Sequence, residues 1–192
     1  GTQVVFDAGR DTELFNNSSR SRLILAGGFL NVNGTTNAPV LFTSSAPTKD
    51  IGQHDGILVQ NGDLNVHDFV IEYATYGMHF ADADTRFNSY VLARGVVQRC
   101  SGRGIFLEPT GKNVLPITLT GFRVLNNGEH GIYANSGLEL VDCQVVGNTS
   151  DGVYGGSLKD TPGSSLTLTR CVVSGNGQDG INATYTPVSV DS

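Results

Sequence analysis

Six Gly–aliphatic steps recur along this chain: Gly56–Ile57, Gly77–Met78, Gly104–Ile105, Gly131–Ile132, Gly152–Val153 and Gly180–Ile181. Their spacings are 21, 27, 27, 21 and 28 residues. Self-similarity at a period of roughly 20–50 residues is the signature of a solenoid, propeller or array. Other positions keep step with the glycine. Val70, Val97, Val124, Val145 and Val173 stand seven residues before it. Asn127, Asn148 and Asn176 stand four before it, with Cys100 in the same slot one repeat earlier. Leu92, Leu119, Leu140 and Leu168 stand twelve before it.

Within a unit, "LELVDCQVV" and "LTLTRCVVS" alternate with period two, which reads as strand with one face inward. Each unit carries about three such runs, parted by Asn, Gly or Asp clusters, and none leaves room for a helix. Such a unit cannot bury its own apolar side, whereas stacked units can, each strand pairing in parallel with its copy one coil away. The expectation is an all-β chain, a single-stranded right-handed parallel β-helix. The 192 residues hold about seven to eight coils of about 24 residues each. The insertions "ADADTRFNSY" (81–90), "EPTGKNVLP" (108–116) and "GGSLKDTPGSS" (155–165) all follow the Gly–aliphatic strand, so they are expected to project from one corner.

Composition narrows the partners. With 16% charged residues, net charge −6 and pI near 5.0 the chain offers no basic stripe for nucleic acid. No apolar run approaches the ~20 residues of a membrane span. Cys100, Cys143 and Cys171 have no zinc-motif spacing. Cys143 and Cys171 share one inward column, where a vertical disulfide and two small buried hydrophobes are both compatible with the coil spacing. The opening "GTQVVFDAG" reads as strand rather than leader, so residues 1–192 are expected to form one domain, a mature or excised segment of a longer protein.

The Asn-x-x-x-Gly-aliphatic coil resembles those of the right-handed parallel β-helix proteins, the pectate-lyase-like superfamily, clearly over residues 50–185 and loosely over 1–49. "APVLFTSSAPTKD" and the following "DGILVQNGDLNVHDFVIEYATYGMHF" also resemble β-helix modules of large secreted or surface proteins of bacteria. The resemblance implies an extracellular or cell-surface location. It leaves activity open, because this fold carries lyases, hydrolases, epimerases, phage tailspikes, adhesins and modules without activity.

Function in a solenoid is read down columns. The Asn column is expected to turn a corner, since Asn tolerates unusual backbone angles and bonds neighbouring backbone. The residue before each glycine gives the column Asp55, Tyr76, Arg103, His130, Asp151 and Asp179. Lyases of this resemblance combine acids, often holding Ca²⁺, with a basic residue that removes a proton beside a uronate carboxylate. Arg103, His130, Asp151 and Asp179, with Glu129 nearby, are the catalytic candidates under that alternative. The competing reading makes the same position a solvated strand start. "GEHG", "NTSD" and "GQDG" are broken, reordered versions of a polygalacturonase's motifs, and Gly180 stands where a second carboxylate is needed.

Two residues after each glycine the column reads Leu58, His79, Phe106, Tyr133, Tyr154 and Asn182. Alternation points it outward, so His79, Phe106, Tyr133 and Tyr154 make an exposed ring strip of ~15 Å suited to sugar faces. The sequence therefore favours a non-catalytic module, a rigid spacer or polysaccharide-binding surface without a cofactor. A polysaccharide lyase or related uronate-acting enzyme is the alternative, and a tailspike or fibre segment is the third class. No capping segment is visible at either end, so contacts with flanking domains or end-to-end neighbours are expected.

Overall fold

The computed structural model describes residues 2–6, 20–81, 89–108, 116–156, 165–184 and 186–192. Three stacks of parallel strands wind round one core. The first face is built of rungs 22–25, 56–59, Met78–Ala81, Ile105–Glu108, Ile132–Ala134, Val153–Gly156 and Ile181–Thr184. The second takes 29–33, 63–67, 90–93, Ile117–Thr120, Leu138–Val141, Leu166–Thr169 and Val188–Asp191. The third takes Gln3–Phe6, Val40–Ser44, 69–72, 95–98, Arg123–Leu125, Gln144–Val146 and Val172–Ser174. Among the described residues there is no helix. The alternation seen in the sequence is the in–out alternation of the strands: Leu138 and Leu140 are buried while Glu139 and Val141 are half-buried.

Each coil must turn sharply between faces, and two columns of left-handed residues do it. Between the second and third faces these are Asp68, Arg94, Gly121, Asp142 and Arg170, with φ of 52, 50, 65, 54 and 51°. Between the third and first they are Tyr73, Arg99, Asn126, Gly147 and Gly175, at 64, 54, 54, 72 and 63°. Of the non-glycine members only Asp68, Asp142 and Asn126 are of types that tolerate this region readily. On the first of these columns charge alternates between neighbours. Arg94 donates from Nε and Nη2 to the two Asp68 carboxylate oxygens at 2.8 and 2.7 Å. Arg170 repeats that fork on Asp142 at 2.7 and 2.8 Å.

The repeated asparagines sit at this corner and bond neighbouring backbone as expected, while the residue before each one carries the left-handed φ. Asn127, Asn148 and Asn176 each follow the left-handed residue and point inward as a ladder. Cys100 N–H donates to Asn127 Oδ1 at 3.0 Å, Asn127 N–H to Asn148 Oδ1 at 3.1 Å, and Asn148 N–H to Asn176 Oδ1 at 3.0 Å. The amide nitrogens donate to Val97, Val124 and Val145 carbonyls and to the next asparagine. Buried polar groups are thereby satisfied at every step.

The glycine belongs to this ladder. A Cβ on Gly131 would meet Val145 Cγ1 at 2.6 Å, Asn148 Nδ2 at 2.7 Å and the Gly152 carbonyl at 2.7 Å; Gly104 and Gly152 are equally confined. Valine, asparagine and glycine therefore recur together because one coil's glycine is the space into which the next coil's valine and amide fit. The largest core side chains form an edge-to-face row, Phe42 to Phe69 at 6.5 Å and Phe69 to Phe122 at 5.8 Å. Cys100, Cys143 and Cys171 are all free thiols, so the vertical bridge is not formed. Burial pushes the Cys143 thiol up to about 11 and that of Cys100 to about 12, which keeps both as inert core groups.

Candidate functional site

The two columns read from the sequence meet along the corner where the first face begins. The residue before each glycine is pinned by its carbonyl: Gly104 N–H donates to His130 O at 3.1 Å, Gly131 N–H to Asp151 O at 3.0 Å, and Gly152 N–H to Asp179 O at 2.9 Å. Side chains on this column therefore repeat at one coil step, ~4.8 Å. The ring column is equally fixed. Leu58 pairs with His79, His79 with Phe106, Phe106 with Tyr133, Tyr133 with Tyr154, and Tyr154 with Asn182.

His79 and Phe106 stack at 4.5 Å and 12° between planes, and Tyr133 and Tyr154 at 4.6 Å and 16°. Phe106 meets Tyr133 edge-on at 5.4 Å. Tyr76 closes on both His79 and Phe106 at 5.7 Å, so the column before glycine adds a fifth ring to the strip. Exposure is lower than expected. Phe106 keeps 7% of its surface, and His79, Tyr133 and Tyr154 are half-buried. The cause is lateral: side chains of the neighbouring column lie down on the rings.

Arg103 is the chief of these. Its guanidinium carbon stands 4.1 Å from the Phe106 ring centre and 4.0 Å from that of Tyr133, a cation held against two π faces. Its Nε has Glu129 Oε2 at 3.4 Å without an aligned hydrogen bond. His79 Nε2 stands in the same relation to Glu108 Oε2, also 3.4 Å away. The His130 ring lies 5.5 Å from Tyr133 and 5.3 Å from Tyr154.

His130 and Asp151 form the tightest polar pair of the candidates. The Asp151 side chain is only 3% exposed, contrary to a solvated strand start. Its Oδ1 accepts from Asp179 N–H at 2.9 Å and its Oδ2 from Asn182 Nδ2 at 3.3 Å. His130 Nδ1 lies 3.3 Å from Asp151 Oδ2 and 3.3 Å from the Asp151 N–H. A neutral Nδ1 accepts the backbone N–H, and a protonated one faces the carboxylate. Burial lowers the imidazole's affinity for a proton, Asp151 opposes that, and Arg103 adds to it. At neutral pH the ring is uncharged and able to take a proton. Asp179, on the outermost coil of the column, is exposed and contributes its backbone rather than its carboxylate.

Arg103, His130 and Asp151 are thus brought together, and Asp179 is joined to them only through its N–H. His79, Phe106, Tyr133 and Tyr154 form one line. Tyr76, Glu108 and Asn182 are partners that column counting did not assign. A Ca²⁺ site needs several oxygen ligands at one point. Among the described residues no three His, Cys, Asp or Glu side chains converge on one point, so these residues do not fit that ion. The three insertions expected to project from one corner lie mostly in 82–88, 109–115 and 157–164, outside the described residues.

Two further histidines have structural work. His54 is fully buried; its Nδ1 accepts Gly56 N–H at 3.0 Å and its Nε2 meets the Glu72 carbonyl at 2.9 Å. His67 Nδ1 rests on Asp68 Oδ2 at 3.0 Å, beside the Arg94 fork.

Comparison with curated proteins and comparison with solved structures gave no match. A family model described as the right handed beta helix region matches residues 31–190. By that match, and by three parallel faces carrying one repeat, the chain belongs to the right-handed β-helix family.

Proposed function

We propose that this β-helix is a non-catalytic module of an extracellular or cell-surface protein, a rigid rod that contacts polysaccharide along the ring column. One observation carries the reading: His79, Phe106, Tyr133 and Tyr154 stand in register on four adjacent rungs, with Arg103 clasped between two of them. Half-buried rings fixed by stacking lose little freedom when a sugar ring docks, which favours binding. The outer edges of the stacked rings suit the C–H side of a pyranose, while the tyrosine hydroxyls and the Arg103 and His130 nitrogens suit its hydroxyls.

Retention of the chain in gels cast with a panel of neutral and acidic polysaccharides tests this. At least one polymer is expected to retard it, and Tyr133→Ala with Tyr154→Ala to remove the retardation while parallel-strand circular dichroism is kept. Equal migration of the double variant on every retarding polymer contradicts the proposal.

A second reading, an enzyme acting on uronates, draws on the His130–Asp151 pair, an uncharged imidazole backed by a buried carboxylate. It expects unsaturated-uronate absorbance to appear with uronic-acid polymers and to vanish in His130→Gln. Silence across the panel removes it.

A further inference from the structure

The corner between the second and third faces carries two closed ion pairs with a glycine between them. Down that column stand Asp68, Arg94, Gly121, Asp142 and Arg170. Arg94 forks onto Asp68 and Arg170 onto Asp142, while Gly121 offers no side chain. An earlier turn overhangs the same place. Gly34 N–H donates to the His67 carbonyl at 3.1 Å, and a Cβ on Gly34 would collide with the Asp68 carbonyl. The turn is therefore pressed onto the corner, with Thr36 Oγ1 3.4 Å from Asp68 Oδ1. Between the turn and Gly121 lies a cavity of about 290 Å³, whose lining includes Thr35, Pro39, Val70, Arg94, Val96 and Arg123.

The charges round this cavity are unequal. Asp68 is saturated: its Oδ1 takes Arg94 Nε and Thr36, and its Oδ2 takes Arg94 Nη2 and faces His67 Nδ1. Arg94 Nη1 makes no hydrogen bond to another described residue. Arg123, paired along the backbone with Val96 and Gln144, has neither a hydrogen bond nor an ion pair from its side chain among the described residues. One guanidinium charge is thus cancelled by Asp68 and the other is not, on a chain of net charge −6. Glu72 stands two residues beyond Val70 on the same outer surface. Its oxygens are taken by the neutral donors Thr43 and Gln98, so it repels anions toward the Arg123 side. Val70 and Val96 are half-buried neighbours on adjacent rungs.

We infer that this cavity binds a small organic monocarboxylate. The carboxylate bridges Arg123 and the unused Nη1 of Arg94, since a guanidinium matches a carboxylate in both charge and shape. The apolar body of the ligand covers Val70 and Val96 beneath Pro39. A single uncancelled charge favours a monoanion over a phosphate dianion, and a volume at the lower end of the ~300–1,000 Å³ of ligand pockets calls for a small body. The site lies on the third face, apart from the ring column of the first.

Benzoate is the probe, with benzyl alcohol as its uncharged counterpart and inorganic phosphate as the bare anion. Methyl spectra of the valine-labelled chain are recorded as each is added. Benzoate should shift the Val70 and Val96 methyls saturably and leave the Tyr133 and Tyr154 rings unmoved. Arg123→Gln, at an exposed side chain, should keep the circular dichroism of the parent and weaken benzoate binding about tenfold or more, with Arg123→Lys between the two. Benzyl alcohol should bind the parent about as weakly as benzoate binds Arg123→Gln, and phosphate should displace little benzoate. Absent shifts at Val70 and Val96, unchanged benzoate affinity in Arg123→Gln, or equal affinity for benzyl alcohol overturns the inference. Full displacement by phosphate at equal concentration also overturns it, and makes the site one for inorganic anions.

Discussion

Asn127 donates from Nδ2 to Asn148 Oδ1 at 2.9 Å, across one coil step and inside the core. The same Asn148 oxygen also takes the Asn127 N–H, so one side chain satisfies two buried donors from the coil before it. Replacing Asn148 with Ala removes the acceptor of the Asn127 N–H and of one Asn127 Nδ2 hydrogen, and takes a donor from the Val124 carbonyl. Urea denaturation should show a loss of about 2–4 kcal/mol. Asn176→Ala, at the open end, should cost about half as much. Equal and small losses at both positions would contradict a buried ladder.

The glycine notch makes a matched pair of variants. Gly131→Ala drives a methyl to 2.6 Å from Val145 Cγ1 and 2.7 Å from Asn148 Nδ2, whereas at Gly180 the nearest atom is 3.7 Å away. Chemical denaturation should place Gly131→Ala about 1–3 kcal/mol below the parent and Gly180→Ala within about 0.5 kcal/mol of it. Similar effects at the two sites would show that the notch does not confine the repeat.

Acid should weaken the fold before any carboxylate titrates. Burial lowers the proton affinity of His54, His79 and His130 from the usual imidazole value of 6.5. Below that value the unfolded chain binds more protons than the folded one. The stabilisation is therefore complete above it and declines as pH falls through it. His54 is the clearest case, since protonating Nδ1 removes the acceptor for Gly56 N–H. Urea melts should show stability falling between about pH 7 and pH 5, and His54→Asn should flatten that slope while lowering stability at neutral pH. Asp68, held down to about 2 chiefly by the Arg94 fork, adds a separate loss confined to pH below its usual 3.8. A flat profile from neutral pH to pH 5 would contradict neutral buried imidazoles.

On the left-handed corner column, Gly121 interrupts the acid–base alternation between Arg94 and Asp142 at φ 65°. A Cβ there reaches only ordinary contact, 3.4 Å from Arg94 Cγ. At φ 65° a side chain is strained whatever the space, so Gly121→Val should lower thermal unfolding by the equivalent of about 1–2 kcal/mol and Gly121→Asn by less. Equal midpoints for Gly121→Val and the parent would contradict a left-handed corner.

The columns were legible because translation along a solenoid gives every copy of a position the same surroundings. Counting from glycine thus placed Tyr133 beside Tyr154 and Phe106 with no error of register. The corners were not legible. Arg94, Arg170, Tyr73 and Arg99 adopt positive φ although their residue types do not announce it, whereas the asparagines bond neighbouring backbone one residue beyond the left-handed position. The site was half legible for a related reason. Column counting gives neighbours above and below a residue, but the Arg103 guanidinium over Phe106 and Tyr133 and the Asn182 amide on Asp151 are sideways contacts between columns. Those depend on side-chain length and direction, which a repeat pattern does not carry.

The claim that the rings form a glycan-contacting edge meets its most direct test in ring-proton chemical shifts. The chain has no tryptophan and six tyrosines, so assigned Tyr133 and Tyr154 resonances can be followed while an oligosaccharide from a retarding polymer is added. The account predicts saturable shifts on those two rings, with Tyr73, whose hydroxyl is held by Arg99, unmoved. Shifts absent from Tyr133 and Tyr154 at a concentration that saturates binding elsewhere would contradict it.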